Sequence, residues 1–214
     1  IAMYIERNPE ISADVVLNTD SEELIRIVEN NKFCKVDLIR RDASLGTDSV
    51  PKISVILDCL DKEEQRNSVR YDMVVDLDLT SPLRTVKDIE NLVNKQYETK
   101  CDVAFSVTTA RRNPYFNMVK KTDKGYKRVL ESSFNTRQEA PEIFDMNASM
   151  YAYSPEYLKT GRGVLDGYCE AIEMYDTGVL DLDHENDFEL MEVIGRFLFD
   201  TEPEFAEVRD KAVM

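Results

Sequence analysis

Two Asp-Leu-Asp triplets are the groups in this chain best suited to chemistry. Asp76-Leu77-Asp78 closes an apolar run, and Asp181-Leu182-Asp183 follows the short apolar run 178–180. In an extended segment residues two apart point to the same side, so each triplet aims two carboxylates together while its leucine packs the other way. Like charges that close demand a cation. An all-oxygen cluster suits Mg²⁺, which is commonly shared with substrate phosphates. The plainer reading is a solvent-facing pair, because acidic residues abound: 42 Asp and Glu stand against 27 Lys and Arg, for a formal charge of −15.

Other chemistries are poorly supplied. His184 is the only histidine, which leaves no His-rich zinc site and no histidine-based nucleophile triad beyond the most improbable. Cys34, Cys59, Cys101 and Cys169 fit neither a metal knuckle nor a dense disulfide framework and read as buried thiols. Seven glycines include no GxxxxGK[ST] or GxGxxG string. An acidic surface repels polyphosphate, so a non-specific nucleic-acid binder is excluded and an anionic ligand must be held by local cations and amides. With 43% hydrophobic and 32% charged residues the chain fills a core and stays soluble. No apolar run approaches a membrane helix and no signal segment opens the chain, so a cytoplasmic location is the expectation.

The elements that must position the triplets follow from two alternating periodicities. Residues 14–18, 35–39, 71–78, 102–107 and 148–153 are short runs rich in β-branched and aromatic residues and read as strands. Between them, Leu24, Ile27 and Val28, then Ile53, Ile56, Leu57 and Leu60, then Val86, Ile89 and Val93 recur at helical spacing. Thr19-x-x-Glu22 and Thr85-x-x-Asp88 read as helix caps, and Pro51 sits near a first turn. The opening residues read as a helix, and a last helix spans about 187–199. This alternation predicts an α/β fold, a mostly parallel sheet with helices on both faces. Open sheets of this kind bind ligands at the carboxyl ends of their strands, where both triplets could meet. One domain covers about residues 1–200, with an excursion of short strands and turns over about 110–137 and a fraying tail over 201–214.

Asp-Leu-Asp-Leu-Thr after a hydrophobic strand admits three enzyme readings. It resembles the Asp-x-Asp-x-Thr of haloacid-dehalogenase-type phosphatases, but glycine is expected where Leu79 stands and the motif belongs on a first strand. A glycosyltransferase metal motif is the second. The third is favoured by Leu79-Thr80-Ser81-Pro82-Leu83-Arg84, which resembles the QPTSPLR stretch of the acylneuraminate cytidylyltransferases. Four further matches follow in family order. Residues 18–23 (NTDSEE) resemble STDDEE, and 41–48 (RDASLGTD) are similar to RPxELAxD. Residues 136–141 (TRQEAP) resemble RQxLP and precede 147–151 (NASMY), in place of NGAIY. Asp181-Leu182-Asp183 with Asp187 and Glu189 is similar to DIDTxxDLxxAE.

That resemblance implies transfer of CMP from CTP to the anomeric hydroxyl of a nine-carbon keto-sugar acid, with release of pyrophosphate and Mg²⁺ as cofactor. By family position Asp181 and Asp183 hold the metal, Arg41 lies near the cytosine, and Arg137 and Gln138 lie at the sugar end. Asn147 and Tyr151 line the sugar pocket, and Thr80 and Ser81 belong to the substrate loop. Asp78 replaces the family's glutamine, an amide that meets the sugar, and is read as a metal ligand or a specificity residue. This departure, with Asp145 in place of an arginine, points to a legionaminic-type acid as readily as to sialic acid. Residues 1–20 hold nothing like the family's basic, glycine-containing loop (ARSGSKGxPxKN), so the expectation is either that a strand and this loop lie upstream of Ile1 or that the chain binds CTP weakly and acts as a catalytically silent interaction protein. The resemblance also implies a homodimer formed through residues 110–137.

Overall fold

The computed structural model describes residues 1–47, 50–175 and 181–213. Helix α1 (Ala2–Arg7) leads to strand β1 (Val16–Thr19), helix α2 (Glu22–Glu29) and strand β2 (Asp37–Arg40). Then come α3 (Lys52–Asn67), β3 (Val74–Leu77), α4 (Val86–Thr99) and β4 (Val103–Thr109). The hairpin β5 (Val119–Thr122) and β6 (Gly125–Arg128) precedes β7 (Phe144–Tyr153), α5 (Pro155–Leu158), β8 (Cys169–Glu173), α6 (Glu185–Thr201) and α7 (Pro203–Val213).

The strands form a parallel pair, β1-β2, and a four-stranded sheet of order β3-β7-β4-β8. In the larger sheet β7 runs antiparallel to both neighbours while β4 and β8 are parallel, so β3, β4 and β8 share one direction. Asp14, just before β1, accepts a 2.5 Å hydrogen bond from the hydroxyl of Tyr71, just before β3. The amino ends of the two strands therefore meet. Helices cover both faces, as the alternation predicts. On one, Tyr4 of α1, Val86, Ile89 and Leu92 of α4, and Val208 of α7 pack on Ala104, Met150, Ala152 and Ile172. On the other, Ile56 and Leu60 of α3 and Tyr157 and Leu158 of α5 pack on Val103 and Tyr153.

Local chemistry sets the ends. Thr85 and Asp88 form the reciprocal cap expected of them at the head of α4. At α2 the cap is Ser21, whose Oγ accepts from Leu24 N, while Thr19 Oγ1 accepts from Ser21 N and Glu22 pairs with Arg40. The expected Thr19 cap is thus two residues early, because Thr19 still belongs to β1. Asp48 and Ser49 lie outside the described residues. Two expectations change. The segment after Asp200 is the helix α7, with Phe205 buried against Leu83, Met191 and Leu198. Its apolar anchor outweighs the fraying expected of a charged terminus. Of the four free thiols only Cys101 is fully buried.

Ala148 sits at φ +52°, where the register between β4 and β7 slips after Phe105. A side chain in that left-handed region is strained by roughly 1 kcal/mol relative to glycine. Ala148→Gly is accordingly expected to raise stability by about 0.5–1 kcal/mol, offset in part by the greater freedom of the unfolded chain. Urea unfolding of the two proteins reads the difference directly, and a lower midpoint for the glycine variant would contradict it.

Candidate active site

The carboxyl end of β3 runs straight into the first triplet. Asp76 pairs across strands with Tyr151 of β7, and Asp78 follows the last strand residue. One ammonium meets both carboxylates: Lys52 Nζ lies 2.7 Å from Asp76 Oδ2 and 2.6 Å from Asp78 Oδ2. The two acids therefore do face one side, and the cation they demand is supplied by the first residue of α3. Asp76 Oδ2 is buried and accepts no aligned hydrogen bond, so the ammonium meets it as a charge. Asp78 Oδ1 accepts from Thr80 N at 3.0 Å and Thr80 Oγ1 at 2.8 Å. Burial pushes the Asp78 carboxyl up, but Lys52 and the two Thr80 donors outweigh it and hold it below its ordinary value. Burial likewise works against the charge on Lys52, and Asp76 and Asp78 overcome it. The ammonium also lies 5.9 Å from the centre of the Tyr151 ring, which stacks on Tyr153.

The loop after Asp78 is clamped from beneath by Arg84. Its guanidinium is largely buried and donates to Ser149 O at 2.7 Å, to Ser149 Oγ at 3.3 Å and to Asp78 O. Ser149 Oγ in turn donates to Ser81 O, and Ser81 is buried. The second triplet arrives on the outer side of the same loop, where Leu182 N donates to Thr80 O at 3.0 Å. Leu182 packs on Leu83, Met191, Leu198 and Phe205, which fixes the strip while leaving its carboxylates outside the apolar cluster. Asp181 Oδ1 accepts from Leu182 N, and neither Asp181 nor Asp183 forms an ion pair among the described residues. Asp187 is occupied as a cap, accepting from Asp183 N and His184 N. The run 178–180 lies outside the described residues.

Other expected site residues are distributed unevenly. Arg41 stands at the end of β2, with Nε and Nη2 each 2.9 Å from the side-chain and main-chain oxygens of Asn18. Tyr151 is half-buried beside Lys52. Asn147 belongs to the interior: its Oδ1 accepts from Ser106 Oγ at 2.5 Å, and its Nδ2 lies 3.3 Å from Met174 Sδ. Arg137 and Gln138 lie on an exposed turn where Arg137 donates to Ala110 O, and Arg137 pairs with neither Glu139 nor Glu142. Glu139 instead accepts from Asn135 N and Thr136 N. The residues that sequence reasoning missed are Lys52 and Arg84. The signal for Lys52 was the very demand for a cation beside two same-facing acids; the signal for Arg84 was a lone cation inside an apolar turn.

No family model matches the chain. Curated proteins do. It is 32% identical over 192 residues to post-translational flagellin modification protein B of Campylobacter coli, covering 88% of this chain and 79% of the relative. It is 30% identical over 188 residues to CMP-N,N'-diacetyllegionaminic acid synthase of Campylobacter jejuni subsp. jejuni, with the same coverage. Among solved structures it resembles CMP:2-keto-3-deoxy-manno-octonic acid synthetase complexed with CTP, at TM-score 0.59 and 15% identity over 90% of this chain and 85% of that one. It also resembles 4-diphosphocytidyl-2C-methyl-D-erythritol synthase of Anaerococcus prevotii, at TM-score 0.59 and 13% identity with the same coverage. The structural likenesses speak for the nucleotidyltransferase fold alone; with the sequence relationship over most of both chains, they establish that the chain belongs to the acylneuraminate cytidylyltransferase family.

Proposed function

We propose that the chain transfers CMP from CTP to the anomeric hydroxyl of a nonulosonic acid of the legionaminic or sialic type and releases pyrophosphate. The observation that carries this reading is the Leu182 N to Thr80 O hydrogen bond, which sets Asp181 and Asp183 against the Asp78–Arg84 loop at the carboxyl edge of the sheet. In the reaction the anomeric oxygen bonds to the α-phosphorus while the bond to the departing pyrophosphate breaks. The donor set fits Mg²⁺: Asp181 and Asp183 are hard oxygen ligands, and among the described residues neither has a cation partner and no third acid completes a cage. Water and substrate phosphates fill the remaining positions of such an ion. Bound there, it would neutralise charge on the phosphates. Asp78, already paired with Lys52, falls to the sugar side with Tyr151 and Thr80.

Arg41, fixed by Asn18, offers planar donors to the base. Arg137 and Gln138, on their exposed turn, are assigned to the sugar-acid carboxylate. The cytoplasm is the location that goes with this reading; among the described residues no helix is long and apolar enough to cross a membrane. The acidic surface argues against nucleic acid as a partner. The test is pyrophosphate release by the full-length gene product from CTP plus a panel of nonulosonic acids. Release with at least one acid and none with CTP alone is expected. No release with any of them, alongside hydrolysis of a simple phosphomonoester, would replace this reading with a phosphatase.

The excursion supports assembly as a homodimer. Residues 111–128 hold seven of the 27 basic residues and one of the 42 acidic ones, so a cationic hairpin projects from an anionic body. Met118, Val119, Tyr126 and Leu130 are exposed on and beside it, an apolar set that a second copy would cover. Sedimentation is expected to give twice the 24.7 kDa chain mass, and Tyr126→Glu with Val119→Glu to give the monomer. A concentration-independent monomer for the unaltered protein would end this reading.

A further inference from the structure

The Lys52 ammonium is a feature of the edge that the assigned chemistry leaves unused. It is about half exposed, with a side-chain accessibility of 48%, whereas the two carboxylates it joins are largely covered, at 17% for Asp76 and 24% for Asp78. One of its three protons is donated to Asp78 Oδ2, while Asp76 is met as a charge, so the ammonium has donors left over. Asp78 spends Oδ1 on Thr80, and Oδ2 shares Lys52. Seen from the cleft, the pair is a donor beside an acceptor, carried by groups whose combined charge with Asp76 is only −1.

We propose that Lys52 is a specificity-determining residue of the sugar end of the site, standing as the fixed counter-ion of Asp76 and Asp78 in place of a metal and presenting, with Asp78, one donor and one acceptor to a neutral hydroxyl or acylamino group of the sugar acid. This rests on the reading of the chain as a sugar-acid cytidylyltransferase. Three physical points carry it. An ammonium 2.7 Å from one carboxylate and 2.6 Å from the other occupies the place a divalent ion would take. A residual charge of −1 disfavours a second anion, so the sugar carboxylate belongs elsewhere, toward Arg137. A hydroxyl or secondary amide carries both a donor and an acceptor and so satisfies both members of the pair, whereas an acceptor-only group leaves Asp78 unmatched. The Tyr151 face beside the ammonium supplies the apolar wall against which a sugar ring carbon or acyl methyl packs.

The test joins two readouts on the full-length protein. The first is Mn²⁺ stoichiometry, followed by electron paramagnetic resonance without substrates. Lys52→Gln is expected to take up one more Mn²⁺ than the unaltered protein, and Lys52→Gln with Asp76→Asn to lose it again. The second is kinetic: in Lys52→Gln the KM for the sugar acid is expected to rise about tenfold, the loss of one charged hydrogen bond, with the KM for CTP within about twofold. Lys52→Arg keeps the charge and is expected to recover part of the sugar KM and none of the extra Mn²⁺ site. An unchanged Mn²⁺ count in Lys52→Gln overturns the counter-ion role. An unchanged sugar KM, or a rise confined to CTP, overturns the specificity role. Failure of the underlying reading has a different signature, namely no CTP-dependent turnover by the unaltered protein, and leaves the Mn²⁺ comparison standing.

Discussion

Asp181→Asn and Asp183→Asn are each expected to lower CTP-dependent pyrophosphate release by about a hundredfold or more, since loss of one metal ligand removes several kcal/mol of charge stabilisation from the phosphates. Folding should be nearly untouched. Neither side chain has an ion-pair partner among the described residues, Asp183 is exposed, and the strip is fixed by Leu182 through its packing and its bond to Thr80. Thermal midpoints within about 2 °C of the unaltered protein are therefore expected, the range of a surface substitution. The two variants also separate ligand from scaffold. If the carboxylates hold Mg²⁺, raising its concentration recovers part of the activity, because a weakened site still fills by mass action. Full activity in both variants would remove the pair from the site. A collapse in thermal midpoint that tracks the activity loss would make Asp181 and Asp183 structural.

Much of this architecture is legible in the sequence because the signals are local. The alternation of strand-like and helix-like runs, the Thr85 and Asp88 cap and the apolar stripe of α4 involve neighbours within four residues, and each appears where expected. The direction of β7 is not local. Its residues carry the apolar and aromatic content of a strand, but whether it lies parallel or antiparallel depends on where the long excursion after β4 returns it, and no short-range pattern records that. Strand β8 escaped notice because Cys169-Glu170-Ala171-Ile172-Glu173 is too mixed to read as a buried run, although only Ile172 is fully buried there. The site divides in the same way. The same-facing geometry of Asp76 and Asp78 follows from strand period alone, and so does their demand for a cation. That the cation is Lys52, 24 positions before Asp76, follows only from the packing of α3 under the edge of β3. Asn147 shows another nonlocal feature: at the bulge beside Ala148 its amide meets Ser106 and Met174, contacts no short-range pattern records.

The largest structural effect is expected at Arg84. Its guanidinium is deep in the protein and is balanced chiefly by carbonyl oxygens, those of Asp78 and Ser149, with the charges of Asp78, Asp76 and Asp88 acting at longer range. Burial pulls its pKa down and those three carboxylates push it up, yet an arginine so placed remains a cation. Arg84→Met fills much of the same volume but strands two buried carbonyls and a hydroxyl. A loss of about 2–4 kcal/mol is expected, the usual result when a buried charged donor is removed from its acceptors. For a chain of this length that corresponds to a fall in thermal midpoint of roughly 4–15 °C. Arg84→Lys tests geometry separately from charge: one ammonium cannot reach Asp78 O and Ser149 O as a planar fork does, so about half the loss should persist. Activity should suffer beyond stability, because Asp78 and Thr80 ride on the loop that Arg84 pins, and Thr80 O is the anchor for the Asp181–Asp183 strip. Measured well below the melting range, Arg84→Lys is therefore expected to show a raised KM for both CTP and sugar acid. A variant that melts early but, when cold, keeps both KM values would confine Arg84 to stability and leave the loop positioned by Ser81 and Leu182 alone.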